Sequence, residues 1–224
     1  ASELALGRGE PELALELLNE TTPNDYILEV KMKAIQAISS WSERLLALRR
    51  VKKANPIIAL AIEKESAGLG FSDGSLSDKD RHDLYRDLSP ELKRDPALIA
   101  QYIRGLNDKD VVEPLIRSSI KKLWNRELII LYGELGESSL KIRMKTAKNW
   151  LNNNRDDPAL HYCLGRIYEQ SGEKTLAKES YARSIEDDGP VDAAVRLGQF
   201  MAIEGQYERS VALYQSVIEE QPTS

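Results

Sequence analysis

Apolar residues along this chain recur three and four positions apart in short blocks, and the blocks come in twos. The clearest run is Pro158 to Gly189, where Leu164-Gly165 and Tyr168 precede a Gly172-Glu173 turn and Ala177, Tyr181 and Ile185 follow it. The same order returns as Leu197-Gly198, Met201, Gly205-Gln206, Ser210, Tyr214 and Val217. A spacing of three and four lines up one face of a helix, so each block predicts an amphipathic helix and each pair an antiparallel hairpin. Small residues fall where two helices would cross closely, with large ones beside them. Pro158, Pro190 and Pro222 stand 32 residues apart, one per turn between pairs.

This pattern closely resembles the tetratricopeptide repeat. The expected fold is therefore an all-α, tetratricopeptide-like helical-repeat solenoid, a right-handed superhelix of antiparallel helix pairs. Its expected organisation is N-terminal helix pairs over 1–67, an irregular loop over 68–80, and tetratricopeptide-like repeats over 81–224, clearest at 158–189 and 190–222.

From the start, Leu4 and Leu6, then Gly9-Glu10-Pro11, then Leu13, Ala14, Leu17 and Leu18 read as the end of one helix, a tight turn and a second helix. That start looks like the second half of a helix pair, as in a piece trimmed from a longer protein. Pro23 and Asn24-Asp25 open a helix carrying Tyr26, Ile27, Val30, Ala34, Ile35, Ala37 and Ile38; Ser39-Ser40 turns it, and Trp41, Leu45, Leu48 and Val51 return. Asn55-Pro56 begins a helix from Ile57 to about Ser66 that is apolar on most sides and is expected between neighbours. The Gly-, Ser- and Asp-rich stretch from Gly68 to Asp80 predicts a turn or irregular connection. Gly68 and Gly70 lack the third glycine and preceding strand of a dinucleotide fingerprint. Asp73, Ser75, Ser77 and Asp78 lack the glycine placement and bidentate glutamate of a calcium loop.

Ser89-Pro90-Glu91 and Asp95-Pro96 are helix starts in succession, the second leading into Leu98, Ile99, Tyr102, Ile103 and Leu106. Asn107-Asp108-Lys109-Asp110 turns the chain, and Val112, Leu115, Ile116, Ile120 and Leu123 return it, with Pro114 early in that helix. Trp124-Asn125-Arg126 takes the place of a proline turn before Leu128, Leu131 and Tyr132-Gly133. A Gly136-Glu137 turn follows, and Ala147 to Leu151 parallels Ala177 to Tyr181.

With 42% hydrophobic and 30% charged residues the composition is that of a folded soluble protein rather than a disordered one. A net charge of −5 argues against nonspecific nucleic-acid binding, which rests on a basic surface. The single cysteine, Cys163, excludes an internal disulfide. Charge is uneven: residues 31–60 carry +6, from Lys31, Lys33, Arg44, Arg49, Arg50, Lys52 and Lys53 against Glu43, and residues 155–224 carry −6.

The run from Leu88 through Ser89-Pro90, Arg94-Asp95-Pro96, Leu98, Tyr102 and Leu106 is followed by Pro114-Leu115-Ile116 and Leu123-Trp124. Leu131-Tyr132-Gly133, Ala147, Trp150-Leu151, Asp157-Pro158 and Leu164-Gly165-Arg166 complete it. Over roughly residues 84–220 this resembles the C-terminal region of the HemY family, tetratricopeptide proteins associated with haem and porphyrin biosynthesis in bacteria. Tyr85 departs from it, standing where the family pattern has Trp. The resemblance implies a parent with N-terminal membrane helices in the bacterial inner membrane, this region being its soluble part and the cytoplasmic side favoured. It also implies protein partners, haem-pathway enzymes among them. The basic stretch at 31–60 would then lie nearest anionic lipid, against the plainer and favoured reading of a solvated helix face.

No catalytic constellation is visible, and the expectation is a non-enzymatic scaffold with no resident metal or cofactor. His82 lies in a charged run and reads as solvated; His161 sits three residues before Leu164, a packing position. A haem-ligand pair of His161 with Cys163 fails on geometry, because residues i and i+2 of a helix point to different sides. Cys163 alone reads as a small buried hydrophobe. The expected working surface is the concave groove lined by the first helix of each pair. By register its outward residues are Tyr162, Arg166 and Glu169, then Asp192, Val195 and Gln199. Arg166 is the candidate for gripping a carboxylate, either a peptide terminus or a porphyrin propionate, against the plainer reading of an ion pair with Glu169 or Asp192. The alternative function is direct porphyrin or haem carriage.

Overall fold

A computed structural model of the protein describes residues 1–19, 21, 24–51, 55–108, 111–137 and 139–220, the side chains of Val217 and Glu220 excepted. Among these residues there is no strand; fourteen α-helices and one short 3₁₀ turn, Leu92–Arg94, account for the regular structure. The helices are α1 (Ser2–Gly7), α2 (Pro11–Asn19), α3 (Asp25–Ala37), α4 (Trp41–Leu48), α5 (Pro56–Ser72), α6 (Asp78–Asp87) and α7 (Pro96–Gly105). They continue with α8 (Val112–Lys122), α9 (Arg126–Gly133), α10 (Leu140–Leu151), α11 (Pro158–Gln170), α12 (Lys174–Glu186), α13 (Val191–Ile203) and α14 (Tyr207–Glu220). The protein is all-α and built of tetratricopeptide-like antiparallel helix pairs. The expected turn at Pro23, the last turn at Pro222, the side chain of Val217 on the last helix, Lys109-Asp110 of the turn after Leu106, and Lys52-Lys53 of the basic stretch lie outside what is described.

Seven helices open on a side-chain cap: Ser40 and Ser77 accept from the amides of Glu43 and Asp80 at 3.4 and 3.2 Å, and five more carry Asn or Asp. Asn24, Asn55, Asp95, Asn125 and Asp157 accept from the amide of the third residue beyond, at 2.8, 3.3, 3.1, 3.1 and 3.0 Å. Each cap satisfies an amide that the helix leaves without a partner. Asp157 also accepts from Trp124 Nε1 at 2.6 Å, and Asp73, just past α5, accepts from Trp41 Nε1 at 3.3 Å.

The hairpins close in two ways. In α1/α2, α11/α12 and α13/α14 the turn glycine (Gly9, Gly172, Gly205) has φ of 76, 81 and 79°. The next amide reaches back to the helix: Glu10 to Ala5 O at 3.0 Å, Glu173 to Tyr168 O at 2.9 Å, Gln206 to Met201 O at 2.8 Å. The left-handed glycine makes this bond accessible. The fourth residue of the returning helix is then small: Ala14, Ala177 or Ser210. In α3/α4, α5/α6 and α9/α10 that same position holds Arg44, Arg81 or Arg143, and the guanidinium takes the end of the first helix. Arg44 donates to Ile38 O at 2.8 and 3.1 Å. Arg81 donates to Leu76 O and, at 2.6 Å, to Asp73 O. Arg143 donates to Tyr132 O at 3.0 Å and to Gly136 O. Arginine thus satisfies helix-end carbonyls that have no intrahelical donor.

The chain forms two compact units, Ala1–Asn107 and Asp108–Ser224. In the first, Met32 and Ile35 of α3, Leu48 of α4, and Ala59 and Ile62 of α5 make one core cluster. Ala5, Ala14 and Ala34 make a smaller one. Fully burying a side chain such as Ile35 or Ile62 contributes about 1.5–3 kcal/mol.

The stretch 68–80, expected to be an irregular loop, is largely helical. Helix α5 runs on through Gly68 and Gly70 to Ser72, and only residues 73–77 separate it from α6. Both glycines serve close packing: a Cβ on Gly70 would lie 2.7 Å from Leu84 Cδ2 and 3.0 Å from Trp41, and one on Gly68 would lie 3.0 Å from Gln101 Oε1. Since α6 and α7 both pack on α5, the stretch 81–107 belongs with the first unit and not with the repeats after it.

In the second unit α8 packs on α9, α9 and α10 on α11, and α11 to α14 follow in sequence. Tyr162, Ala177, Tyr181, Ala193 and Leu197 form its core cluster, with Phe200 and Met201 against it. The close crossings fall at the predicted glycines. A Cβ on Gly165 would lie 2.5 Å from the Tyr181 ring, and one on Gly198 would lie 2.5 Å from the Tyr214 ring.

Candidate docking face

The candidate groove residues lie on α11 and α13, the first helices of consecutive hairpins in the second unit. Proline and a capping aspartate start α11, with Asp157 accepting from Leu160 N at 3.0 Å; α13 starts at Val191 after Pro190. Tyr162 does not face outward as the register predicted. Its ring is 1% exposed, within the core cluster, and its hydroxyl donates to Glu134 Oε1 at 3.1 Å. Asp192 and Gln199 are exposed and Val195 half-buried, the Val195 carbonyl accepting from Tyr214 OH at 3.3 Å.

The structure brings Glu169 and α13 together through a residue the sequence reading passed over. Glu169 Oε1 accepts from Arg196 at 3.3 Å and Oε2 from Tyr181 OH at 2.6 Å. Glu169 is thus engaged on both oxygens, and neither oxygen bonds Arg166. The Nε of Arg166 is out of contact with water and has no hydrogen-bond partner. Its stem lies over α9, since a Cβ on Gly133 would come within 3.4 Å of Arg166 Cβ. Its charge is felt at both the Tyr162 and Tyr181 phenols, which it lowers against a larger upward push from burial. The net direction for both phenols is upward, so they remain hydroxyl donors that hold Glu134 and Glu169 in place. Glu134, Tyr181 and Arg196 belong to this face although register alone did not select them. The sequence signal for Arg196 is its place on the turn of α13 opposite Glu169.

The histidine and cysteine candidates stand apart from this face chemically. His161 is 4% exposed, and its Nε2 lies 2.6 Å from Arg155 O. Cys163 is fully buried, and desolvation pushes its thiol from 9.0 up to about 12. His82 is exposed, with Nδ1 against Tyr102 OH. Among the described residues no group of three or more His, Cys, Asp or Glu side chains is placed to hold a metal ion. Asp73 instead accepts from the Ser75 amide and hydroxyl at 2.9 and 2.6 Å. No helix among the described residues is long and apolar enough to cross a membrane.

No protein-family model matches the chain, and no curated protein matches it. Among solved structures, it is similar to MamA from residue 41 to the end, from Desulfovibrio magneticus RS-1. That likeness has 13% identity and a TM-score of 0.36, over 99% of this chain and 93% of that one. A MamA RS-1 ArsTM double mutant gives 13% identity and a TM-score of 0.27, over 97% of this chain and 89% of that one. At such scores the fold reading rests on the helix pairing described above.

Proposed function

We propose that the protein is a non-catalytic interaction scaffold whose α11 face takes a carboxylate-bearing segment of a partner protein, with Arg166 as its anchoring cation. The observation that carries this reading is the orphaned Arg166 Nε beside a Glu169 already committed to Tyr181 and Arg196. A buried donor without an acceptor costs on the order of 1–3 kcal/mol. When the Arg166 side chain turns outward on binding, an incoming carboxylate supplies two acceptors in the geometry of the guanidinium fork. The test is calorimetric titration with a peptide ending in a free carboxylate and with its C-terminal amide. The acid is expected to bind more tightly, Arg166→Ala to erase that difference, and Arg166→Lys to restore only part of it. Equal binding of acid and amide to the unaltered protein would sink the proposal.

The finer reading rests on the resemblance to the HemY family: a scaffold at the cytoplasmic side of the bacterial inner membrane, held by a parent's membrane helices and gathering haem-pathway enzymes. Crosslinking the parent protein in membranes tests it, and recovery of no porphyrin-pathway enzyme would count against it. A porphyrin propionate would suit Arg166 equally, which keeps direct carriage as the second reading. Its weakness is that His161 Nε2 is occupied by a carbonyl and Cys163 is held protonated. Haem titration of the protein and of its His161→Ala and His82→Ala variants decides: an unchanged Soret band in both variants removes those ligands.

A further inference from the structure

A second groove, of about 680 Å³, runs between α8 and α10 in the same unit, lined in part by Arg117, Lys121, Trp124, Asn149, Trp150 and Asn153. Among the described residues no carboxylate lines it. Trp124 and Trp150 meet edge to face in it, ring centroids 5.7 Å apart at 87°, and Trp124 is fixed by its bond to Asp157. Four of its polar residues come as two matched pairs, beside Ser118, Thr146 and Asn154. Arg117 and Lys121 are one turn apart on α8. Asn149 and Asn153 are one turn apart on α10 and its continuation, because Asn152 keeps helical angles of −61 and −31°.

One helical turn of four residues advances about 6 Å, and two residues of extended chain advance about 6.6 Å. Each asparagine amide offers a donor and an acceptor, the complement of a peptide group. The two amides are therefore spaced to bond peptide groups two residues apart, and the two cations to meet side chains at alternate positions of the same strand. Lys121, Asn149 and Asn153 are exposed, and among the described residues their side chains make no hydrogen bond or ion pair. Arg117 holds the buried Glu113 through Nε at 2.9 Å and a second guanidinium nitrogen at 3.4 Å, while 47% of its own side chain and its remaining N–H groups stay open to a further acceptor.

We propose that this groove binds an extended segment of a partner protein that carries carboxylates at alternate positions, Glu or Asp at i and i+2, lying over the two tryptophans. This site is independent of the α11 face. The test is titration of the full chain with a blocked Ser-Glu-Ser-Glu-Ser peptide, with the isomer that has its two Glu adjacent, and with a hexathymidylate. The alternating peptide is expected to bind best, and more weakly as salt rises. Lys121→Glu is expected to weaken it about tenfold, the size of one charge-assisted contact. The Asn149→Ala, Asn153→Ala double variant is expected to weaken it about fivefold, with thermal midpoints unchanged. Arg166→Ala is expected to leave it unchanged, which separates this site from the α11 face. Absence of binding, equal affinity for the adjacent-Glu isomer, undiminished binding by Lys121→Glu, or a preference for the oligonucleotide would each overturn the proposal.

Discussion

Hairpin α11/α12 and hairpin α9/α10 place a residue at the same step, the fourth of the returning helix, and solve opposite problems with it. In α11/α12 that residue is Ala177, 0% exposed, and Gly172 takes the left-handed turn that lets the Glu173 amide reach Tyr168 O. Glycine Gly165 then lies against the Tyr181 ring of its own partner helix. In α9/α10 the residue is Arg143, also 0% exposed, whose guanidinium feeds carbonyls at the end of α9 and Gln170 Oε1 at 2.8 Å. There the matching glycine, Gly133, lies against Cys163 of the next pair rather than against its own partner helix. Both turns hold a left-handed glycine, Gly136 having φ of 74° in the second, but a backbone amide takes the helix-end carbonyl in one pair and a side chain takes it in the other. The lesson is that a repeat conserves the need to satisfy helix-end carbonyls, while the means differ from pair to pair.

The sharpest way to break that comparison is Arg143→Ala. It strands several buried carbonyls and empties a large volume, so a loss of about 3–5 kcal/mol is expected in urea unfolding. A loss below about 1 kcal/mol would show that the arginine only fills space. Next comes Gly165→Ala, whose methyl would sit 2.5 Å from the Tyr181 ring; about 2 kcal/mol of overpacking is expected in the same assay. Cys163, beneath Gly133, gives a pH-dependent effect of intermediate size. Its folded thiol is raised from 9.0 to about 12, so the stability it contributes is present below pH 9 and declines as pH rises toward 12. Stability curves of the protein and Cys163→Ala should therefore differ in slope above pH 9, by about 1 kcal/mol per pH unit. The smallest effect is Gly172→Ala. With open space around the glycine and φ of 81°, only backbone strain of about 1 kcal/mol is expected, read as a small shift in thermal midpoint.

Helix pairing was legible because Gly165, Tyr181, Gly198 and Tyr214 repeat the same small-against-large crossing in one stretch of chain. Gly68 and Gly70 misled because composition reports only local preference. Their helix is completed by Trp41, Leu84 and Gln101, residues distant in sequence that fill the space a Cβ would need. The arginine closures were written in the chain as a serine followed four residues later by arginine, at Ser40/Arg44, Ser77/Arg81 and Ser139/Arg143. Reading charges as solvated faces hid them. For the candidate site, register placed Arg166 and Glu169 on one helix but also assigned Tyr162 outward. The phenol buries its ring and keeps only its hydroxyl on Glu134, a division that apolar periodicity does not encode. Nor does spacing reveal that Glu169 is claimed by Tyr181 and Arg196, which left Arg166 Nε as the orphan.

Trp41, bonded to Asp73 in the first unit, and the Trp124–Trp150 pair in the second distribute the chain's three indoles between its two halves. Each half thus contains its own native fluorophore. In a Trp41→Phe variant the emission spectrum would follow only the second half during melting, and in Trp124→Phe, Trp150→Phe only the first. Whether the halves come apart in one step or two is therefore readable by ultraviolet light alone, without attaching a dye.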